Sequence, residues 1–254
     1  MTVHVGEAIA RREDFRFLTG AGHYIDDVHL DGMLHASLYR SAWPHARILS
    51  VEISDAAAVP GVVGVFTYAD FRDVLKPIRP RIAAMPHFED FLQLPLAGDK
   101  VRYVGEPIAV VVATDPYIAE DAASLISAEI ESLPPILNWQ AASDRSLLIH
   151  EHAGTNTTTV EVSRGDPDSA FKTAPYVRRE RFMVQRHTAI PMEARGLAAL
   201  WNNTEQRITV FGITKVPFFN RSMLASMLGL PESAVIMKVA DAGGGFGVRG
   251  EFYP

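Results

Sequence analysis

Five consecutive residues, Gly243-Gly244-Gly245-Phe246-Gly247, constrain this chain more than any other segment. Four glycines around one phenylalanine permit positive φ angles and a close approach of backbone to a ligand. Backbone N–H groups exposed in such a loop can bond oxo or phosphate oxygens. The plainer alternative is a tight turn that only joins two elements, and spacing alone leaves both open. A strand over Val235–Val239 leads into the loop, and seven residues follow it, to Pro254. A strand placed there needs a neighbour, since an uncovered face and an unpaired edge are costly. The expectation is that another chain completes this domain or that the sequence is a fragment of a longer one.

The same stretch holds a decoy. Gly245-Phe246-Gly247-Val248-Arg249-Gly250 satisfies GxGxxG after a strand. A dinucleotide fold also requires a following helix and an acidic residue about twenty positions on. Neither is met before Pro254, itself a poor helix continuation, so the motif carries no weight alone.

The composition narrows the remaining classes. Net charge is −6 and no Lys/Arg run makes an electrostatic footprint, which argues against a nucleic-acid partner. With no cysteine, the chain itself holds no disulfide, thiolate nucleophile or iron–sulfur cluster. Met1–Arg12 has no apolar core of a secretory signal, and the longest apolar run, Ile108–Ala113, is far too short to span a bilayer. The reading is a cytoplasmic chain with no membrane partner.

Local patterns give an α+β order. Residues 1–32 read as an extended lead-in. Leu34, Ala36 and Leu38 alternate with His35, Ser37 and Tyr39 at strand spacing; Ile48–Ile53 and Val62–Thr67 are further strands. Between these two strands Asp55 is expected to cap a short turn of Ala56–Ala58. Four prolines make Lys76–Pro95 a loop. Val101–Val104 and Ile108–Ala113 are strands around the Gly105-Glu106-Pro107 turn, and Ala128–Glu131 is a short returning strand. Asp115-Pro116 is a strong helix start, followed by Ala119, Ala122, Ala123 and Ile126 on one face. Asp166-Pro167 starts a second helix, bearing Phe171. Arg178–Arg186 alternates like a strand, and Leu197–Leu200 pairs with Arg207–Ile213 across Asn202-Asn203. Pro217–Leu228 is a helix closed by Gly229. The His150-Glu151-His152 triplet is expected to be solvent-exposed, since two ligands fall short of a metal site. Glu193 reads either as a buried, functional carboxylate or as a turn residue, and a single glutamate usually has a structural role.

Several of these segments, in order, resemble one family. They are Thr19–Asp27, the Pro44-His45-Ala46-Arg47-Ile48 segment, Val59-Pro60-Gly61-Val62, Val104–Ala109, Pro191–Gly196 and the glycine loop. Together they resemble the large subunit of the xanthine dehydrogenases, aldehyde oxidases and carbon monoxide dehydrogenases. The resemblance implies an α/β-hammerhead domain followed by an incomplete α+β molybdopterin-binding domain. The expected boundaries are an extension at 1–14, the hammerhead at 15–138, a linker at 139–162 and the truncated second domain at 163–254.

It implies a molybdenum–molybdopterin cofactor in its cytosine dinucleotide form, contacted by Gly244, Gly245, Phe246 and Gly247. It also implies an iron–sulfur subunit, an FAD subunit and the rest of the large subunit as partners. The implied reaction is hydroxylation of an aldehyde or N-heterocycle, a small-molecule substrate, with water as the oxygen source. Where the family often carries glutamine before the helix, this chain has Ile213-Thr214-Lys215, so Lys215, at the cofactor-side position, either tunes the centre differently or faces away. The family's base lies beyond the matching residues; no catalytic and no metal-ligating residue is assigned. The alternative is a non-catalytic hammerhead interaction module or an inactive gene fragment. NAD is expected to give no binding heat with this chain in titration calorimetry; a saturable isotherm would restore the dinucleotide reading.

Overall fold

The computed structural model describes residues 4–81 and 88–254. The middle of the proline-rich loop, including Pro86, lies outside the described residues. The chain forms two compact units: residues 33–188 with 251–254, and residues 4–32 with 189–250. The first is therefore inserted in sequence between the two parts of the second.

The inserted unit is built on two three-stranded antiparallel sheets. In one, β5 (Pro107–Ala113) lies between β1 (His35–Arg40) and β3 (Val62–Thr67). β5 is buried along almost its whole length, and the apolar Pro-Ile-Ala-Val-Val-Val-Ala run suits a strand covered on both faces. In the other, β2 (Ala46–Glu52) lies between β4 (Lys100–Val101) and β6 (Ser127–Ser132). Helix α4 (Pro116–Ser124) covers the first sheet, and Ala119, Ala122 and Ala123 form its buried face. Small side chains let that helix sit close to the strands. One core cluster joins Ala56, Ala109, Val111, Ala122, Ala123 and Ile126; a second joins Ala46, Ala97, Val101 and Ile108. Tyr39 and Val51 pack against both and tie the two sheets together.

The expected strands are present, with informative differences. In β1 the inward side chains are His35, Ser37 and Tyr39, of which Tyr39 packs against both clusters, while Leu38 on the other face is 37% exposed. The short helix α2 (Ser54–Ala57) is not capped by Asp55, which lies inside its first turn; the Glu52 carboxylate accepts the Ser54 N–H at 2.9 Å instead. Beyond it, α3 (Tyr68–Phe71) is closed at its start by Asp70, which accepts the Thr67 N–H at 2.6 Å. The Asp115 start of α4 is as expected, accepting from the N–H of Tyr117 at 2.8 Å and of Ile118 at 3.3 Å. Asp166 starts α5 (Pro167–Thr173) by accepting the Ser169 N–H. The alternating stretch Arg178–Arg186 forms no strand: periodicity describes side chains, but a ladder needs a partner, and the described residues offer none. Phe182, Met183 and Val184 are each more than 80% exposed.

The second unit starts with α1 (Asp14–Leu18) and a turn at Ile25–Asp27. After residue 189, β7 (Leu197–Asn202) and β8 (Arg207–Gly212) form a hairpin, and β9 (Val235–Lys238) adds parallel to β8. A parallel neighbour requires a crossover, supplied by α6 (Pro217–Leu228). Gly229 ends α6 at φ 67°, the left-handed position expected of it. In this packing residues 15–32 group with 189–250 rather than with the strands that follow them.

Replacing Asp115 with alanine removes both first-turn acceptors of α4. Urea unfolding is expected to show a loss of about 1 kcal/mol with an unchanged m-value.

Candidate functional site

The glycine loop leaves β9 through Val239-Ala240-Asp241-Ala242 and turns outward. Gly244 and Gly247 stand at φ 113° and 97°, and Phe246 itself is left-handed at φ 45°. A non-glycine residue held there stores strain of about 1–3 kcal/mol, which persists only where the surroundings enforce it. The Phe246 side chain is 78% exposed, so packing of its ring does not explain the turn. Within the loop Val248 donates to the Gly245 carbonyl at 2.9 Å. Among the described residues, the N–H groups of Gly244, Gly245, Phe246 and Gly247 have no acceptor.

Two carboxylates hold the loop from behind. Glu193 is 7% exposed and uses both oxygens: Oε2 accepts the Gly243 N–H at 2.9 Å, and Oε1 accepts the Ile25 N–H at 3.2 Å. Its own N–H donates to the Gly243 carbonyl at 3.3 Å. A Cβ on Gly243 would overlap that of Glu193, so glycine is required here for close approach, not for its torsion. The Arg249 guanidinium donates to the carbonyls of Glu193 and, at 3.1 Å, Ala194. Its Nη2 lies 4.0 Å from Glu193 Oε2, so it compensates the buried carboxylate by charge rather than by a hydrogen bond. Breaking such a buried pair typically costs about 3–5 kcal/mol. Asp241 forms the second brace, with a paired contact to both terminal nitrogens of Arg16 and the His23 N–H at 2.8 Å.

Lys215 joins the same neighbourhood through its backbone, whose N–H donates to the Arg249 carbonyl at 3.0 Å. Its side chain is exposed, with no hydrogen bond or ion pair among the described residues. All five residues expected to face a cofactor therefore lie on one compact unit. Sequence reasoning missed Arg16, Asp241 and Arg249; of the two readings open for Glu193, the side chain is the buried carboxylate. Local pattern holds no signal for contacts between residues 225 positions apart.

A cavity of about 390 Å³ is lined by Tyr68, Leu92, Gln93, Arg102, Glu106 and His150, among others. His150 is not the exposed residue expected: it is 9% exposed, and burial, reinforced by Arg102, pushes its pKa down to about 4. His152 and Glu151 are exposed, and Glu151 pairs with Lys100. No group of three metal-ligating side chains forms among the described residues.

An outward loop of unpaired N–H donors, built from glycine and braced from behind, defines a cradle for an anionic, oxygen-rich group. The donor set and the left-handed torsions fit the oxygens of a pterin-bound metal centre. Two family models account for most of the chain. Residues 19–134 match the aldehyde oxidase and xanthine dehydrogenase α/β-hammerhead domain, and residues 149–254 match the molybdopterin cofactor-binding domain.

The chain belongs to the family of molybdenum-binding large subunits of xanthine dehydrogenases, aldehyde oxidases and carbon monoxide dehydrogenases. It is 36% identical to the gamma subunit of the 6-hydroxypseudooxynicotine dehydrogenase complex of Paenarthrobacter nicotinovorans, over 98% of this chain and 32% of that protein. It is 34% identical to the carbon monoxide dehydrogenase large chain of Afipia carboxidovorans, over 93% of this chain and 30% of that one. The crystal structure of quinoline 2-oxidoreductase from Pseudomonas putida 86 superposes with a TM-score of 0.82 at 36% identity, over 96% of this chain and 31% of that chain. The chain thus spans about a third of the length of these relatives. Among the described residues no helix is long and apolar enough to cross a membrane.

The Asp241 brace carries a pH dependence. The Arg16 guanidinium, then the His23 N–H, holds its pKa near 2, below the ordinary carboxylate value of about 3.9. A depressed carboxylate contributes stability above the unfolded value and loses it as pH falls through the folded one. The protection factor of the His23 amide, its exchange rate taken relative to the intrinsic rate at each pH, is therefore expected to fall between about pH 4 and pH 2. In an Arg16→Met chain that fall should start at higher pH; identical profiles would refute the assignment.

Proposed function

We propose that this chain contributes the cofactor-facing glycine loop of a molybdenum hydroxylase large subunit. The observation that carries the reading is the run of four unpaired N–H groups, Gly244 to Gly247, on a loop that two carboxylates hold open. Gly244, Gly245, Phe246 and Gly247 would present donors to the oxygens of a molybdenum–molybdopterin cofactor. Lys215, exposed and without a partner among the described residues, would add a positive charge where the family often has a neutral glutamine side chain. The cofactor, in the cytosine dinucleotide form, supplies the two-electron oxidation, with water as the source of the oxygen. The protein's part is to bind and orient it. No residue of this chain is assigned as the catalytic base.

The substrate class that the relatives favour is an N-heterocycle, with an aldehyde as the alternative. Similar proteins are named for 6-hydroxypseudooxynicotine, nicotine and quinoline. With no cysteine in this chain, iron–sulfur clusters would be held outside it, on a partner subunit, with FAD on a further subunit. The exposed stretch with Phe182, Met183, Val184 and Ile190 supports a chain that is covered in an assembly, since such surface is a liability on a free monomer. A cytoplasmic location fits this arrangement.

Coexpressed with its partner subunits, the wild-type chain is expected to carry about one molybdenum and one pterin per copy. A Cβ on Gly247 meets no atom within 4 Å, so the Gly247→Ala methyl would stand in the open space of the cradle. That variant should lose only about 1–2 kcal/mol to torsional strain yet retain about a tenth or less of the metal. A wild-type complex free of molybdenum by elemental analysis would refute the reading.

A further inference from the structure

We propose that Glu193 is a positioning residue, whose carboxylate sets the donors of Gly244–Gly247 for the cofactor oxygens. This rests on the function proposed above and assigns the order of the loop to one side chain.

A run of four glycines and one phenylalanine has little ability to hold itself in place, because glycine loses more conformational freedom on ordering than any other residue. Donors that meet developing or resident negative charge are effective only when already oriented. The loop must therefore be fixed from outside. Its own N–H and C=O groups supply one bond, from Val248 to Gly245. Asp241 holds the segment before the loop and Pro191 lies against Gly244, but the fixation at Gly243 itself comes from Glu193: carboxylate to Gly243 N–H, Glu193 N–H to Gly243 carbonyl, and side chain against the missing Cβ. The residue immediately beyond this clamp is the first of the four free donors.

The second carboxylate oxygen holds the Ile25 N–H, and Ile25 packs against Gly196, where a Cβ would lie 3.1 Å from its Cγ2. Glu193 is thereby fixed against the amino-terminal segment and cannot swing with the loop. Arg249 supplies the remaining requirement. Its stem lies 3.8 Å from the place of a Gly245 Cβ, and its head compensates the Glu193 charge. The brace is thus electrically neutral behind a surface that must receive anionic oxygens. A carboxylate without that arginine would repel the ligand it helps to seat.

Glu193→Gln preserves shape but turns an amide NH₂ toward either the Ile25 or the Gly243 N–H, donor against donor. Val210→Ala is the control: Val210 is 4% exposed in β8, so its loss destabilises the same unit without touching the loop. Two readouts are compared. In the full chain, backbone order parameters of Gly244–Gly247 should drop from about 0.85 to below about 0.6 in Glu193→Gln and stay unchanged in Val210→Ala. In the coexpressed complex, molybdenum and pterin content should fall about tenfold in Glu193→Gln and hold in Val210→Ala. Unchanged order parameters, equal loosening by Val210→Ala, or full metal content in Glu193→Gln would each overturn the role of Glu193 while leaving the cofactor assignment standing. A wild-type complex without molybdenum would instead overturn the cofactor assignment, and this role with it.

Discussion

Both oxygens of one buried carboxylate accept backbone N–H groups from opposite ends of the chain, and the glycine loop takes its shape from that arrangement. Glu193 receives Ile25 on one oxygen and Gly243 on the other. Burying an ion is unfavourable unless it is paired and hydrogen-bonded, and here both conditions are met. Arg249 provides the charge, two N–H groups provide the bonds, and the residue becomes a fixed point. A serine or asparagine could satisfy one of these donors but not both. The left-handed Phe246 and the unpaired N–H groups beyond Gly243 depend on this anchor, because the loop has little internal bonding.

Asp241 works on the other side of the same turn. It faces the amino-terminal segment through Arg16 and His23, while Glu193 faces it through Ile25. The segment before the first strand is therefore part of the cradle's frame, although it precedes the whole inserted unit in sequence. Neutrality is a common feature of both braces. Each carboxylate has an arginine at hand, so the loop presents its N–H dipoles against a background of little net charge. That is the setting in which oriented dipoles and a single free cation such as Lys215 have most influence on an approaching anion.

Much of the fold was legible where the signal is local. Asp115-Pro116 starts a helix because a carboxylate and a proline suit the first turn, and Pro217 to Gly229 marks α6 at both ends. The strand Val62–Thr67 has the bounds that its composition suggests. The family was legible because six short segments occur in the right order, each weak by itself. What escaped was long-range or partner-dependent. Arg16 and Asp241 meet across 225 positions, and nothing in the periodicity of either segment reports the other. Glu193 looks like any lone glutamate until Gly243 and Ile25 are brought to it. His150 reads as polar linker, yet it is buried, with its ring in an edge contact against Phe91. The alternation over Arg178–Arg186 was a true pattern without a partner strand, so it described side chains and not structure.

The amino-terminal segment has a consequence for the order of assembly. During synthesis the inserted unit, whose strands all lie between residues 35 and 132, can close as soon as it clears the ribosome. Arg16, already made, has to wait for Asp241. At roughly 5–20 residues per second this interval is about 10–45 s, far longer than the collapse of a small domain. Throughout that time Phe15 and Leu18 beside it are without the rest of their unit. The cradle is thus the last part of this chain to form, and cofactor loading belongs after translation of the loop and not during the growth of the hammerhead.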